Sequence, residues 1–328
     1  MHKPNTQFFT RLLSAVFPLM LAIAPAHAAY PEKPVRIVVP YAAGGSSDVL
    51  ARGISEQLAK ELGQAVVVEN RAGAGSMIGT AYVANEAADG YTLLLADVPF
   101  TIVPALYSGR VKYDARKDFA PISLIGVSPM YLFVNPKFEA RTVAELVAAA
   151  KAKPSVISVG SGGNGSLTHL MAELFMLNTG TKLVHIPYKG ASASVNDLAG
   201  GQIEYSFTTM PTAAALFQAG KIMPIAVSSP ERMKETPSVP TFKELDVPNM
   251  MVQNWWGLLA PAGVPADVRA RLEAAMKNVM QAVPVRQRLE SVGVSASADT
   301  SGSALQRLVS EDLARWQEVI QRANITFE

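Results

Sequence analysis

Val35-Arg36-Ile37-Val38-Val39, followed at once by Pro40-Tyr41-Ala42-Ala43-Gly44-Gly45-Ser46-Ser47-Asp48, decides the fold. The run of Val and Ile reads as a strand buried on both faces, and Pro40, which has no N–H to donate, ends it. Beyond the small-residue loop, Leu50, Ile54, Leu58 and Leu62 recur every four residues, the spacing of an amphipathic helix. Ser46 or Ser47 reads as its N-cap, Asp48 sits in the first turn where its charge suits the helix dipole, and Gly63 ends it. A strand entering a helix through a glycine-rich turn is a building unit of layered α/β folds.

The same alternation continues outward. A second strand is expected over Ala65 to Glu69, a helix after Gly73-Ala74-Gly75, and a strand over Tyr91 to Ala96 behind the Asp89-Gly90 turn. Ile122 to Val127 and its continuation Met130 to Val134 carry the chain onward, and the pattern then restarts. Helix Val143 to Ala152, strand Val156 to Val159, helix Leu167 to Asn178, strand Leu183 to Ile186 and helix Ser192 to Ala199 form a second set. Two sets joined by extended segments predict two lobes with a cleft between them and largely parallel sheets. Two amphipathic helices, Asp267 to Val283 and Ser303 to Ala323, close the chain and read as packing surfaces.

Composition narrows the class. The 328 residues are 49% hydrophobic, enough for a large core, and the formal net charge is +2, with no basic run of the kind that binds nucleic acid. There is no cysteine, which excludes disulfides, thiolate metal sites and a lipidated cysteine anchor. His169 and His185 are too isolated to suggest a metal cluster, so neither metal nor cofactor is expected. At the N-terminus, Lys3 and Arg11 precede an apolar stretch from Leu12 to Ile23, and Ala26-His27-Ala28 has the small-x-small form of a cleavage site. Twelve apolar residues fall short of the roughly 20 that span a bilayer, so residues 1–28 read as a cleaved export signal rather than an anchor.

A second glycine-rich loop, Gly160-Ser161-Gly162-Gly163-Asn164-Gly165-Ser166, also lies between a strand and a helix. Such loops aim backbone N–H groups and small hydroxyls beyond the strand ends, which suits an anion. Gly160, Gly162 and Gly165 match G-x-G-x-x-G, but the next strand ends in Pro187-Tyr188-Lys189 without the acid a dinucleotide ribose requires. No G-x-S-x-G elbow exists. Ser166 and His169 lack an identifiable third member of a triad, and His169 reads as a structural histidine.

Taken together the residues resemble the solute-binding proteins of tripartite tricarboxylate transporters, the Bug family. The resemblance spans the chain after the export signal. It is carried by Pro40 to Asp48, by Val68-Glu69-Asn70-Arg71-Ala72-Gly73-Ala74-Gly75 with Ile78-Gly79, and by Asp89-Gly90-Tyr91-Thr92-Leu93-Leu94. Further matches are Tyr113-Asp114 with Asp118 to Ile122, Ser161 to Ser166 with His169-Leu170, Pro187-Tyr188-Lys189-Gly190, Asp197-Leu198, Pro240-Thr241 and Trp256 to Pro261.

The resemblance implies an α/β, two-lobed periplasmic binding protein of type II, a Venus flytrap with two crossing hinge strands. One lobe would hold residues 29–126 plus 256–328 and the other 127–255. It implies a monomer in the periplasm that hands a small carboxylate to the membrane subunits of a transporter. The carboxylate would lie between Tyr41, Ala42, Ala43, Gly44, Gly45 and Ser46 on one side and Ser161, Gly163, Asn164, Gly165 and Ser166 on the other. His169, Tyr188 and Thr208 would stand beside it.

Two departures from the family pattern bear on the ligand. Phe207-Thr208-Thr209-Met210-Pro211 stands where an Asp-Asn pair is common, which argues against an amino acid. Asp97-Val98-Pro99-Phe100 replaces a small polar stretch, and Phe100 is placed to wall the cleft beside a flat ring. A dicarboxylate is therefore expected, with an aromatic one such as terephthalate in view. The rival readings are a periplasmic hydrolase using Ser166 or Ser161, and a carboxylate sensor presenting its closed form to a receptor.

Overall fold

The computed structural model describes residues 30–107 and 109–322. The export signal expected over 1–28 and the end of the last predicted helix, Ala323, lie outside them. From Pro31 onward the described residues form one compact unit.

The strand that opens the fold, β1 (Val35–Val39), leads through the glycine turn into α1 (Ser46–Leu62), then β2 (Val66–Asn70), α2 (Met77–Ala84), β3 (Thr92–Asp97) and α3 (Pro99–Leu106). The sixteen-residue β4 (Phe119–Val134) follows. The second set is α4 (Val143–Ala152), β5 (Ser158–Ser161), α5 (Leu167–Thr179), β6 (Val184–Pro187), α6 (Ala191–Gly200), β7 (Tyr205–Thr209), α7 (Met210–Gln218) and β8 (Met223–Val227). The chain returns along β9 (Gln253–Pro261) and ends in α8 (Ala266–Gln281), α9 (Val283–Ser291), β10 (Ser295–Ala296) and α10 (Gly302–Arg322).

The sheet runs β2-β1-β3-β9-β4-β7-β5-β6, with β8 and β10 also paired to β4. Its flanks are parallel, as expected: β1 with β2 and β3, and β5 with β6 and β7. Its middle is not. β4 is antiparallel to β7, β8, β9 and β10, and β9 is antiparallel to β3, so the expectation of largely parallel sheets is corrected to a mixed sheet. The reason is connectivity. A strand that leaves one half and a strand that returns to it run in opposite directions, and β4 and β9 are those two strands.

β4 is one continuous strand through Ser128 and Pro129 rather than two pieces. Its first part, to Pro129, pairs with β9, and from Met130 it pairs with β7 and β8. The two halves of the sheet thus share a single backbone. α10 lays Leu305, Val309, Leu313, Trp316 and Ile320 into the core, all under 9% exposed, in keeping with its expected packing role.

The first turn is held from behind by Gly79 in α2. A Cβ there would stand 2.7 Å from the Arg71 carbonyl oxygen and 2.8 Å from Pro40 Cα. Both are backbone atoms that cannot rotate away. Gly79→Ala is expected to cost about 1–3 kcal/mol in urea unfolding, the range for overpacking a tight interior, and to displace the turn that starts at Pro40.

Candidate functional site

Both glycine turns open onto one cavity of about 60 Å³. Tyr41, Ala42, Gly45, Ser46 and Ser47 line it from the first turn, and Gly162, Ser166, Leu167 and Thr168 from the second. Across the rim the two sides touch. Ser192 Oγ donates to the Ala43 carbonyl at 3.2 Å, and a Cβ on Gly75 would meet the Asn164 carbonyl oxygen at 2.7 Å.

Helix starts dominate the wall. α1, α3, α5, α6 and α7 all begin at it, through Ser46 and Ser47, Pro99, Leu167 and Thr168, Ala191, and Thr209 just ahead of Met210. The first-turn N–H groups of a helix have no intrahelical acceptor, and each helix start carries roughly half a positive charge. No Lys, Arg or His lies among the described lining residues. Positive potential in the cavity therefore comes from backbone dipoles, which suits a small anion.

Several amides of the expected cradle are turned inward instead. Gly44 N–H donates to Asp48 Oδ2 at 2.9 Å, Gly162 N–H to Thr168 Oγ1 at 2.8 Å, Gly163 N–H to Ser161 Oγ at 3.1 Å and Gly165 N–H to His169 Nδ1 at 3.4 Å. These bonds shape the turns and leave the helix starts to face the cavity. Ser166 is the N-cap of α5, its Oγ accepting from His169 N–H at 3.3 Å. The N-cap of α1 is Gly45, not Ser46 or Ser47 as expected, because Ser47 is occupied elsewhere. Asp48 does serve the first turn, and Asn70, Arg52 and Gly44 hold its carboxyl below the usual range against the opposing effect of burial.

Ser47 belongs to a buried relay. Trp256 Nε1 donates to Ser47 Oγ at 3.1 Å, Ser47 Oγ donates to Asp97 Oδ2 at 3.2 Å, and Tyr41 Oη donates to Asp97 Oδ1 at 2.7 Å. Asp97 lines the cavity yet is 6% exposed, and burial raises its carboxyl to about 7 despite hydrogen bonds from Tyr41, Ser47 and Asn254. Burial likewise pushes Tyr41 well up.

Of the residues singled out in the sequence, Tyr41, Ala42, Gly45, Ser46, Asp97, Ser166 and Thr208 reach the cavity wall. Ala43, Gly44, Ser161, Gly163, Asn164, Gly165, His169 and Tyr188 stand behind it or at the rim. Phe100 is corrected: it does not wall the cleft but packs in the core. It is 2% exposed, stacked on Tyr113 at 6.0 Å and edge-on to Phe119 at 5.1 Å, because α3 turns it away from the site. Sequence reading did not assign Leu167, Thr168, Gly190 and Ala191 to the site, nor Pro99, Met130, Thr209 and Asn254, although several of them adjoin the stretches it quoted.

Behind the second turn the rings of His169 and His185 stack at 3.7 Å, and Ser161 Oγ lies 2.6 Å from His185 Nε2. This serine–histidine pair is structural. Ser161 is 0% exposed in this structure, and it also accepts from Gly163 N–H. Burial and the facing His169 hold His185 down at about 4. Ser161→Ala strands both partners and is expected to lower unfolding free energy by about 1–3 kcal/mol, measurable in urea titrations.

A mixed sheet whose two halves share the long strand β4, with strand-to-helix turns of both halves meeting over one cavity, is the architecture of a two-lobed periplasmic binding protein. The family described as "Tripartite tricarboxylate transporter family receptor" matches residues 50–325. Protein BugT of Bordetella pertussis is 34% identical over 319 residues, covering 95% of this chain and 97% of its own. The structure of MatC from Rhodopseudomonas palustris with bound malate superposes with a TM-score of 0.85 at 30% identity, covering 89% of this chain and 100% of that one. The R. palustris protein Rpa4515 with adipate superposes at 0.86 and 31% identity, covering 90% and 99%. The chain belongs to the tripartite tricarboxylate transporter receptor family, whose Bug members are periplasmic solute receptors and not enzymes.

Proposed function

We propose that this receptor binds a small dicarboxylate between its two halves and delivers it to the membrane subunits of a tripartite transporter. The observation that carries this reading is the convergence of five helix starts on a cavity without a basic side chain. One carboxylate is held by first-turn amides of α1 and α5 with the Ser46 and Thr168 hydroxyls. Hydrogen bonds to a charged group contribute about 1.5–3 kcal/mol each, so a handful reach the roughly 8 kcal/mol of a micromolar complex before ordering costs.

Malate and adipate, bound to the two R. palustris relatives, are both aliphatic dicarboxylates. The case for an aromatic acid rested on Phe100 and loses that support. Residues 29–126 with 256–328 act as one lobe and 127–255 as the other. β4 and β9 serve as the crossing strands, and the anion favours the closed form because its donors come from both lobes. The protein works as a monomer in the periplasm after removal of residues 1–28.

Thermal-shift and calorimetric titration with malate, adipate, terephthalate and free amino acids test this. A dicarboxylate at one hundred times its Kd is expected to stabilise the protein by about 2.7 kcal/mol. Stabilisation by amino acids alone, or by none of these acids, would refute the reading.

A further inference from the structure

Asp97 is out of place in a cavity built for anions. It is the one carboxylate among the described lining residues, and it lies at the head of α3 beside the starts of four other helices. Among the described residues no cation neutralises it within the site. Its hydrogen-bond partners are the Tyr41 and Ser47 hydroxyls and the Asn254 side chain. Tyr41 comes from the first turn, Ser47 from α1 and Asn254 from β9. Tyr113, from the segment before β4, is close enough for its charge to couple to Asp97, and its hydroxyl has no hydrogen-bond partner among the described residues.

The other acids nearby are turned elsewhere. Asp48 of α1 faces Arg52, Asn70 and Gly44, and Asp312 of α10 accepts from Trp255 Nε1 at 2.6 Å. A dicarboxylate entering the cavity thus meets a single ionisable carboxyl with no compensating positive side chain. When two carboxylates share one site, the proton affinity of one is strongly raised and it is the one that becomes neutral.

Resting on the dicarboxylate reading above, we infer that Asp97 is a specificity-determining residue. It takes up one proton from solvent as the ligand binds, and its carboxyl then donates a hydrogen bond to the ligand's second carboxylate. The proton balance is simple: protein, dianion and one solvent proton give a neutral Asp97 and a bound dianion. In the free protein burial already raises Asp97 to about 7, so the proton is taken at little cost near neutral pH. The cavity would select acids whose far end accepts a hydrogen bond and would disfavour ligands with an ammonium only when Asp97 is neutral.

Isothermal calorimetry of the intact protein with malate or adipate tests this between pH 6 and 9, in buffers of low and high ionisation enthalpy. The expected result is uptake of about one proton at pH 8, less near pH 6, and a Kd rising about tenfold per pH unit above pH 7. Asp97→Asn, which is uncharged throughout, is expected to abolish proton uptake and to bind with a Kd independent of pH. Dicarboxylate binding without proton uptake overturns the role of Asp97 alone. Tight binding of an amino acid that Asp97→Asn abolishes also overturns it, because Asp97 would then be an ionised partner for an ammonium. If no dicarboxylate binds at any pH, both inferences fall together.

Discussion

At pH 8 the free Asp97→Asn protein is expected to unfold several degrees above its parent. An aspartate in an unfolded chain titrates at about 3.8, whereas burial raises Asp97 to about 7 in the fold. Between those values the folded state keeps a proton that the unfolded state has lost, so stability falls as pH rises. The penalty is absent below about pH 4, grows up to about pH 7 and is fully present above it. Three pH units at about 1.4 kcal/mol each set its scale at about 4 kcal/mol. Asparagine keeps the shape and an acceptor for Tyr41 and carries no charge at any pH. Differential scanning calorimetry should find the gap between variant and parent closed near pH 4 and widest above pH 7. A gap that stays constant with pH would refute the buried-charge account.

His185 acts in the opposite direction over part of that range. Its folded value of about 4 lies below the ordinary 6.5, so the stability it contributes is present above about pH 6.5 and lost as pH falls towards 4. In the parent the two slopes oppose each other between about pH 4 and 6.5. In Asp97→Asn the histidine slope stands uncovered, and stability should drop on acidification through that window.

Trp256→Ala is expected to have the largest destabilising effect. The indole is 0% exposed in β9, between Asp97 of β3 and Gly126 of β4. Truncating a buried tryptophan costs about 3–5 kcal/mol through lost transfer energy and the cavity left behind. Here the change also removes the N–H that orients Ser47, one of the two hydroxyls bonded to Asp97. Trp256→Phe separates the two effects. It keeps most of the volume and should recover most of the stability, while ligand affinity, which depends on the Ser47–Asp97 geometry, stays reduced. Equal recovery of both would mean that the indole N–H has no part in the site.

Much of this architecture is written locally in the chain. Val35–Val39, the helix carrying Leu50, Ile54, Leu58 and Leu62, and the start of α5 after Ser166 follow from hydrophobic period and turn chemistry, which act over a few residues. Ordered motifs such as Pro40 to Asp48 and Ser161 to Ser166 were enough to identify the family. The sequence was misleading where a local preference met a distant partner. Ser47 reads as a cap but is claimed by Trp256 and Asp97, and Phe100 reads as a cleft wall but is claimed by Tyr113 and Phe119.

What the sequence determined by itself was the kinds of elements, the two glycine turns and the family, because each depends on neighbours in the chain. Tertiary structure alone decided that β4 runs through both halves of the sheet with β9 antiparallel to its first part, and that five helix starts converge on one cavity. It alone showed how deeply Asp97, singled out in the sequence, is buried among them. The physical reason is that dipoles and burial add up in space, and positions 46, 99, 167, 191 and 210 become neighbours only once the sheet has assembled.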